Sequence, residues 1–395
     1  MSDYLMKTYS PHKIAFSHGE DCWLWDLSGK KYLDALSGIA VVNLGHNHHK
    51  ITAVIKSQAQ KLIQVSNCFE IPEQVALAKR LIKLSGLDKV FFCSTGSEAN
   101  ETAIKIIRLY GNVKGISIPN IVVMEKAFHG RTMASITASD GKDIQKGFEP
   151  LLSGFLRCPY DDIHALKVIL SKHSNIVGVM LEPIQGAGGL NVPHDSYLSK
   201  IRSLCNHYGV LMILDEVQTG IGRTGEFFAY QHTGILPDII TLAKGLGNGY
   251  PVAACIARGE AADVFQVGKH GTTFGGSPLS SVIASTVIDT VSELKFLLHV
   301  QKTGQYLLKQ LRNVLGHYES VVDIRGKGLM VGIELNRPCT ILGTMGLKIP
   351  GIGLVLNVIA QKVIRIVPPL TINRSQVDIL VLGLDQIISQ WEKRK

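Results

Sequence analysis

Between residues 86 and 280 short apolar runs alternate with helical stretches, and no other feature narrows the fold of this chain as far. Six runs predict strands, at 89–93, 120–124, 176–181, 210–214, 239–242 and 252–256. Most are apolar at every position rather than every second one, the pattern of strands covered by helices on both faces. The reading is an α/β fold. Among the intervening stretches, residues 98–110 carry Ala99, Ala103, Ile104 and Ile107 at helical spacing, with Gly111 as a stop.

Beyond Pro278 the composition changes. Residues 280–315 read as helical, and short strands follow at 321–324, 329–334 and 363–367, which predicts a second, smaller α+β domain. The segment 374–391 sets Val377, Leu380, Leu384, Ile387, Ile388 and Trp391 on one helical stripe, as core packing requires. Strand-like stretches at 22–25 and 31–34 suggest that the first residues pack with the small domain. The expected division is therefore an N-terminal segment over 1–50, a large domain over 51–280 and a small domain over 281–395. A length of 395 residues accommodates two such domains.

Composition excludes several classes. With 46 % hydrophobic and 18 % charged residues the chain is too apolar to be disordered. Its uncharged apolar runs, such as 209–214, fall far short of the roughly 18–20 residues of a membrane span. The start, Met1 to Lys7, lacks the features of a secretory signal, so the expected location is the cytoplasm. Seven cysteines without a C-x-x-C pair read as reduced thiols. The formal charge of +9 is dispersed, with a single basic cluster at 393–395, which favours anionic small molecules over nucleic acid.

Five motifs carry chemistry. Thr95-Gly96-Ser97 enters a helix after a strand, where free N–H groups can meet an anion, although a plain helix cap reads the same way. The run 211–214 ends in Asp215, at the strand end where open α/β sheets bind ligands, and strand alternation would put Asp215 and Val217 on one side. Such an aspartate needs a cationic partner; a metal carboxylate of the nucleotide-binding kind is disfavoured because no G-x-x-x-x-G-K-[ST] loop accompanies it. Lys244 stands between an apolar run and three glycines; alone it would read as a solvated surface lysine, yet that setting lowers an amine's pKa and suits Schiff-base formation. Phe128 and Arg131 offer an aromatic face and a carboxylate-binding guanidinium. Thr272 and Thr273 offer hydroxyls among glycines. A phosphate cradle, an aspartate, a stacking ring and a lysine amine together describe a pyridoxal 5′-phosphate site.

At this point the sequence resembles the fold-type I, class-III pyridoxal-phosphate aminotransferases, and within them the group acting on acetylated ornithine. The likeness runs through Gly38-Ile-Ala-Val41, Ser97-Glu-Ala-Asn-Glu101, Phe128-His-Gly-Arg-Thr132, Glu182-Pro-Ile-Gln185, 215–225, Ala243-Lys-Gly-Leu-Gly247, Thr273-Phe-Gly-Gly276 and Arg365-Ile-Val-Pro-Pro369. The resemblance implies a large cofactor-binding domain with a mostly parallel sheet wrapped by helices, and a smaller α+β domain.

It also implies roles. Lys244 would hold the cofactor and shuttle a proton; Asp215 would pair with the ring nitrogen and Gln218 with the ring hydroxyl. Val217 and Phe128 would pack on the two ring faces. Gly96 and Ser97 would bind the phosphate, with Thr273 supplied from the neighbouring subunit of a homodimer whose sites lie at the interface. Arg131 and Thr272 would contact the acylated donor, and Arg365 the α-carboxylate of glutamate and 2-oxoglutarate. Ala187 departs from the glutamate common in this family, which implies an unmasked Arg365 and altered discrimination between α- and ω-amines.

The expected reaction moves an amine from N2-acetylornithine, or a succinylated diamino acid, to 2-oxoglutarate in arginine or lysine-precursor metabolism. Ornithine, 4-aminobutyrate and diaminopelargonic acid aminotransferases, an aminomutase, and a non-enzymatic binding protein on the same scaffold are the alternatives. A nicotinamide dehydrogenase is disfavoured for want of a G-x-G-x-x-G after a first strand. His46, His48 and His49 read as surface or subunit-contact residues with no nearby carboxylate rather than metal ligands, and Cys93 as a structural thiol.

Overall fold

The computed structural model describes residues 4–393. The first three residues of the N-terminal reading, and Arg394 and Lys395 of the basic cluster, lie outside the described residues.

Seven strands form the central sheet, in the order Lys89–Cys93, Ala253–Ala257, Ile239–Leu242, Leu211–Asp215, Ile176–Leu181, Asn120–Met124 and Phe155–Cys158. From Ile239–Leu242 to Phe155–Cys158 all neighbours pair in parallel. Ala253–Ala257 runs against both of its neighbours, which leaves one reversed strand in a mostly parallel sheet. The inner strands Ile176–Leu181, Leu211–Asp215, Ile239–Leu242 and Ala253–Ala257 are buried at every residue, which is why they read as unbroken apolar runs.

Two strands start one residue later than their apolar runs, at Leu211 and Ala253. Phe155–Cys158, an edge strand interrupted by Arg157, escaped the sequence reading. The helix expected over 98–110 spans Gly96–Val113. It opens with a capping box: Thr95 Oγ1 accepts from Glu98 N (3.2 Å) while Glu98 Oε2 accepts from Thr95 N (2.8 Å). The cap engages the N–H groups of Thr95 and Glu98 and does not use those of Gly96 and Ser97, so a capped helix start is compatible with an anion site here.

A second layer holds the antiparallel strands Val321–Lys327, Met330–Leu335, Val363–Ile366 and Asn357–Ile359, covered by the helices Leu294–Leu315 and Arg374–Glu392. The N-terminal strands Phe16–Glu20, Trp23–Asp26 and Lys31–Asp34 form a third sheet, completed by Gly353–Val355 in parallel with Lys31–Asp34. The expected division at 281 falls inside the helix Pro278–Val291, whose buried Leu279, Ile283, Val287 and Ile288 pack in the core of the central sheet. Ala40, Ile184, Leu190, Met330, Val363 and Val367 join the N-terminal segment, a central-sheet loop and the small sheet in one apolar cluster.

The helix Leu294–Leu315 crosses the turn at Gly328 so closely that a Cβ on Gly304 would stand 2.2 Å from the Gly328 carbonyl oxygen. Gly304→Ala is therefore expected to destabilise the fold by about 1–3 kcal/mol, the usual range for overpacking. A lower denaturant midpoint at unchanged slope checks this, and an unchanged midpoint contradicts the close crossing.

No helix among the described residues is long and apolar enough to cross a membrane. All seven cysteines are free, and only Cys68 is exposed. Burial pushes the Cys93 thiol up, away from the thiolate that a nucleophile needs.

Candidate active site

The carboxyl ends of the parallel strands, with the loops that follow them, line a cavity of about 370 Å³. Gly96, Ser97, Phe128, Asp215, Val217, Gln218 and Lys244, far apart in sequence, all line it, as does Ala187.

Asp215 ends the strand Leu211–Asp215 and is buried. Its Oδ2 accepts from Asn100 Nδ2 (2.8 Å) and from His129 Nδ1 (2.7 Å), and its Oδ1 accepts from Val217 N (3.0 Å). Asn100 is itself fixed, accepting from Thr241 Oγ1 at 2.7 Å and donating to the His129 carbonyl at 2.7 Å. Burial pushes the carboxyl up, but the hydrogen bond and charge of His129, together with the bonds from Val217 N and Asn100, outweigh it and hold Asp215 below the ordinary value. The group stays ionised and faces the cavity. One sequence expectation needs correction: Asp215 and Val217 reach the cavity through a turn in which the Val217 N–H returns to the aspartate, not through strand alternation.

Lys244 follows the strand Ile239–Leu242 and takes a left-handed backbone, φ +43°. A residue with a Cβ is costly there, of order 1–3 kcal/mol, and such strain clusters at functional positions. The next residue must be small, because a Cβ on Gly245 would lie 2.3 Å from Asn43 Nδ2. Asn248, also left-handed, closes the turn by accepting from Leu44 N (2.7 Å) and donating to the Gly45 carbonyl (3.2 Å). Burial, and then the positive charge of Arg365, lower the Lys244 amine to about 8.

Glu182 follows the strand Ile176–Leu181 and lines the same cavity. Its two oxygens accept from Phe128 N (3.0 Å) and Gly186 N (2.9 Å), while burial pushes its carboxyl up to about 7. Arg365 lies on the small sheet, buried, with Nε donating to Asn357 Oδ1 at 3.3 Å. Burial lowers its guanidinium to about 10, opposed by the charge of Glu182. Arg365 thus acts electrostatically on Lys244, and Glu182 on Arg365, although Arg365 does not line the cavity.

Three other sequence-predicted residues stand outside the cavity wall. Arg131 is exposed, its guanidinium 5.6 Å from the Phe128 ring centroid and its backbone N–H donating to Ser97 Oγ at 3.3 Å. Thr272 and Thr273 lie beside Phe91, Glu98 and His270 in a separate surface depression. Asn67 Nδ2 donates to the Thr272 carbonyl (3.1 Å) and Gln64 Nε2 to that of Thr273 (2.5 Å). In a single chain neither threonine lines the cavity that holds Lys244.

Sequence reasoning missed the roles of His129, Asn100 and Glu182. The signal was thin: His129 is adjacent to Phe128, and Glu182, like Asp215, ends an apolar run. His46 also needs correction, since its Nε2 lies 2.8 Å from Asp34 Oδ2, a carboxylate the sequence reading did not connect to it. Among the described residues no group of three or more His, Cys, Asp or Glu side chains is arranged to hold a metal ion.

Comparison with known proteins bears on the whole chain. The family model described as aminotransferase class-III matches residues 4–388. The acetylornithine aminotransferase of Nitrosomonas europaea is 45 % identical over 386 residues, covering 98 % of both chains. That of Methanocaldococcus jannaschii is 40 % identical over 99 % of this chain and 97 % of its own. Among solved structures, acetylornithine aminotransferase from Elizabethkingia anophelis superposes with a TM-score of 0.87 at 34 % identity, over 98 % of this chain and 96 % of its own. Ornithine aminotransferase from Toxoplasma gondii gives 0.93 at 30 % identity, over 99 % and 94 %. Likeness that runs from end to end, in sequence and in backbone, is not that of a borrowed domain: the chain belongs to the class-III aminotransferases.

Proposed function

We propose that the protein transaminates N2-acetyl-L-ornithine with 2-oxoglutarate as acceptor, in arginine biosynthesis, and works as a cytoplasmic homodimer. The observation that carries the reading is the convergence of Lys244, Asp215, Gln218 and the Gly96–Ser97 helix start on one cavity, in a chain 40–45 % identical to relatives named for that activity.

The family's pyridoxal 5′-phosphate fits the residues present. Gln218 Oε1 is buried without a hydrogen-bond partner and awaits a donor such as a ring hydroxyl. A Cβ on Gly96 would stand 2.8 Å from Val217 Cγ1, so only glycine leaves this wall open to the backbone. When bound, the cofactor supplies an aldehyde that accepts the donor's amine and a ring that accepts electrons.

The chain's own residues divide the remaining work. Lys244, with its amine lowered to about 8, is available both to bind the aldehyde and to carry a proton beside it. Asp215, whose carboxylate His129 helps keep ionised, would hold a proton on the ring nitrogen. Phe128 and Val217 would pack against the ring, and the N–H groups of Gly96 and Ser97 would hold the phosphate. Arg131 and Thr272 receive the acylated donor, and Arg365 the carboxylate of the 2-oxo acid.

The position of Thr273, exposed and outside the wall of its own chain's Lys244 cavity, supports a second copy of the chain to whose phosphate it would be presented. Seven unpaired cysteines support a reducing compartment.

A donor panel tests the substrate. The value of kcat/KM for N2-acetylornithine is expected to exceed those for ornithine and 4-aminobutyrate by at least ~10-fold, the scale of a few specific contacts. Preference for either of the latter overturns the assignment.

A further inference from the structure

Arg223 is wholly buried, yet no carboxylate among the described residues lies within ion-pair distance of it. Burial lowers its guanidinium to about 9, and its Nε has no hydrogen-bond partner. The charge of Asp34 opposes this lowering from beyond ion-pair distance, that carboxylate being in contact with His46, and a buried cation with no contacting counter-ion is costly and calls for a reason.

Its contacts supply one. Nη1 donates to the carbonyls of Leu329 (3.0 Å) and Pro368 (2.6 Å), and Nη2 to Asn43 Oδ1 (2.7 Å). Leu329 N returns a bond to the Arg223 carbonyl at 3.0 Å. Leu329 and Pro368 flank the strands Met330–Leu335 and Val363–Ile366, which bring Gly332 opposite Arg365. Asn43 is fixed on its other side: its Nδ2 donates to the Ile221 carbonyl (2.9 Å), and its own carbonyl accepts from Leu370 N (2.7 Å). The same Asn43 amide occupies the space that a Cβ on Gly245 would need, next to Lys244. A continuous strut thus runs from the strands carrying Arg365, through Arg223 and Asn43, to the turn carrying Lys244.

We infer that Arg223 is a positioning residue for the acceptor half of the reaction: with Asn43 it fixes the distance between the Arg365 guanidinium and the Lys244 amine. The inference rests on the proposed function, in which Arg365 holds the 2-oxo acid while Arg131, on the large sheet's side, receives the acylated donor. Five donors in a planar fork let one arginine clasp both strand ends and Asn43, which the single ammonium of lysine cannot do.

The test compares Arg223→Lys and Asn43→Ala with the wild-type holoenzyme. Each half-reaction is followed in single turnovers, and binding of glutarate, a dicarboxylate that cannot react, is measured by calorimetry. Misplacement by about 1 Å costs roughly 10²-fold, so the acceptor half-reaction is expected to slow by about that factor. Glutarate affinity is expected to fall by about 10-fold in both variants, and the N2-acetylornithine half-reaction of Arg223→Lys to stay within about 3-fold, because Asn43 still backs the Lys244 turn and Arg131 is not on the strut. In an Arg365→Lys background the further loss from Arg223→Lys shrinks to within about 3-fold, the non-additivity of residues acting as one unit.

For Arg223→Lys, equal losses in both half-reactions, an unimpaired acceptor half, or losses that multiply with those of Arg365→Lys would overturn the inference. Glutarate affinity of Asn43→Ala decides if Arg223→Lys does not fold, since that variant cuts the strut at its other end and the dicarboxylate reads Arg365 without turnover at Lys244. Glutarate binding needs no turnover, so unchanged affinity in both variants sinks the inference even where failure of N2-acetylornithine to react sinks the functional reading.

Discussion

Lys244→Ala is expected to reduce transamination by at least ~10³–10⁴-fold, the upper range for a positioned acid–base group, with added loss for the missing nucleophile. Burial lowers the Lys244 amine first and the Arg365 charge lowers it further, to about 8. Only the unprotonated amine attacks an aldehyde, so capture of cofactor by the cofactor-free protein is expected to rise about tenfold per pH unit below 8 and to level off above it. Arg365→Met removes the second cause and moves that inflection upward. Stopped-flow absorbance across pH 6–10 checks both statements. A pH-independent rate, or a downward shift in Arg365→Met, contradicts the account. The left-handed backbone at Lys244 and the Asn43 contact at Gly245 hold the amine's base in place, so the alanine variant tests chemistry rather than folding.

Asp215→Asn is expected to lower kcat by about 10²–10³-fold, the scale for losing one preorganised electrostatic partner. Three donors converge on this carboxylate: Asn100 Nδ2 and His129 Nδ1 on Oδ2, and Val217 N on Oδ1. Burial alone would push the carboxyl toward neutrality, and His129 reverses that. The protein therefore maintains a negative charge at the cavity wall, and the asparagine keeps the shape while removing the charge. His129→Gln is expected to cause a smaller loss in the same direction, since Asn100 and Val217 remain. Steady-state kinetics with cofactor content measured on the same samples separates lost chemistry from lost cofactor. If the asparagine variant keeps full kcat with full occupancy, the role assigned to Asp215 is wrong.

Both of these residues were readable in the sequence for one reason: each terminates or follows an unbroken apolar run, and strand ends are where an open α/β sheet collects its ligands. Buried strands announce themselves by composition, as Ile176–Leu181 does, whereas the edge strand Phe155–Cys158, half-exposed and carrying Arg157, does not. Direction leaves no trace in an all-apolar run, so the reversal of Ala253–Ala257 emerged only from its pairing. A left-handed turn through Ser37, Gly38, Ile39 and Ala40 was invisible apart from its glycine, because Asp34 Oδ1, accepting from Leu36 N and Ser37 N, and the Val367 carbonyl impose it from outside.

Roles fixed by distant partners were the least legible. His129 acquires its function from Asp215, and Arg223 acquires its own from Asn43, Leu329 and Pro368; no local pattern encodes such pairs. Arg131, Thr272 and Thr273 were singled out by motif, and the fold of one chain does not bring them to the cavity wall.

The most direct test of the function is the visible absorbance of purified, cofactor-loaded protein, titrated first with N2-acetylornithine and then with 2-oxoglutarate. The account predicts that the first addition bleaches the cofactor band and that the second restores it, with one glutamate formed per site. A band untouched by N2-acetylornithine, or one that recovers without any 2-oxo acid, would contradict it.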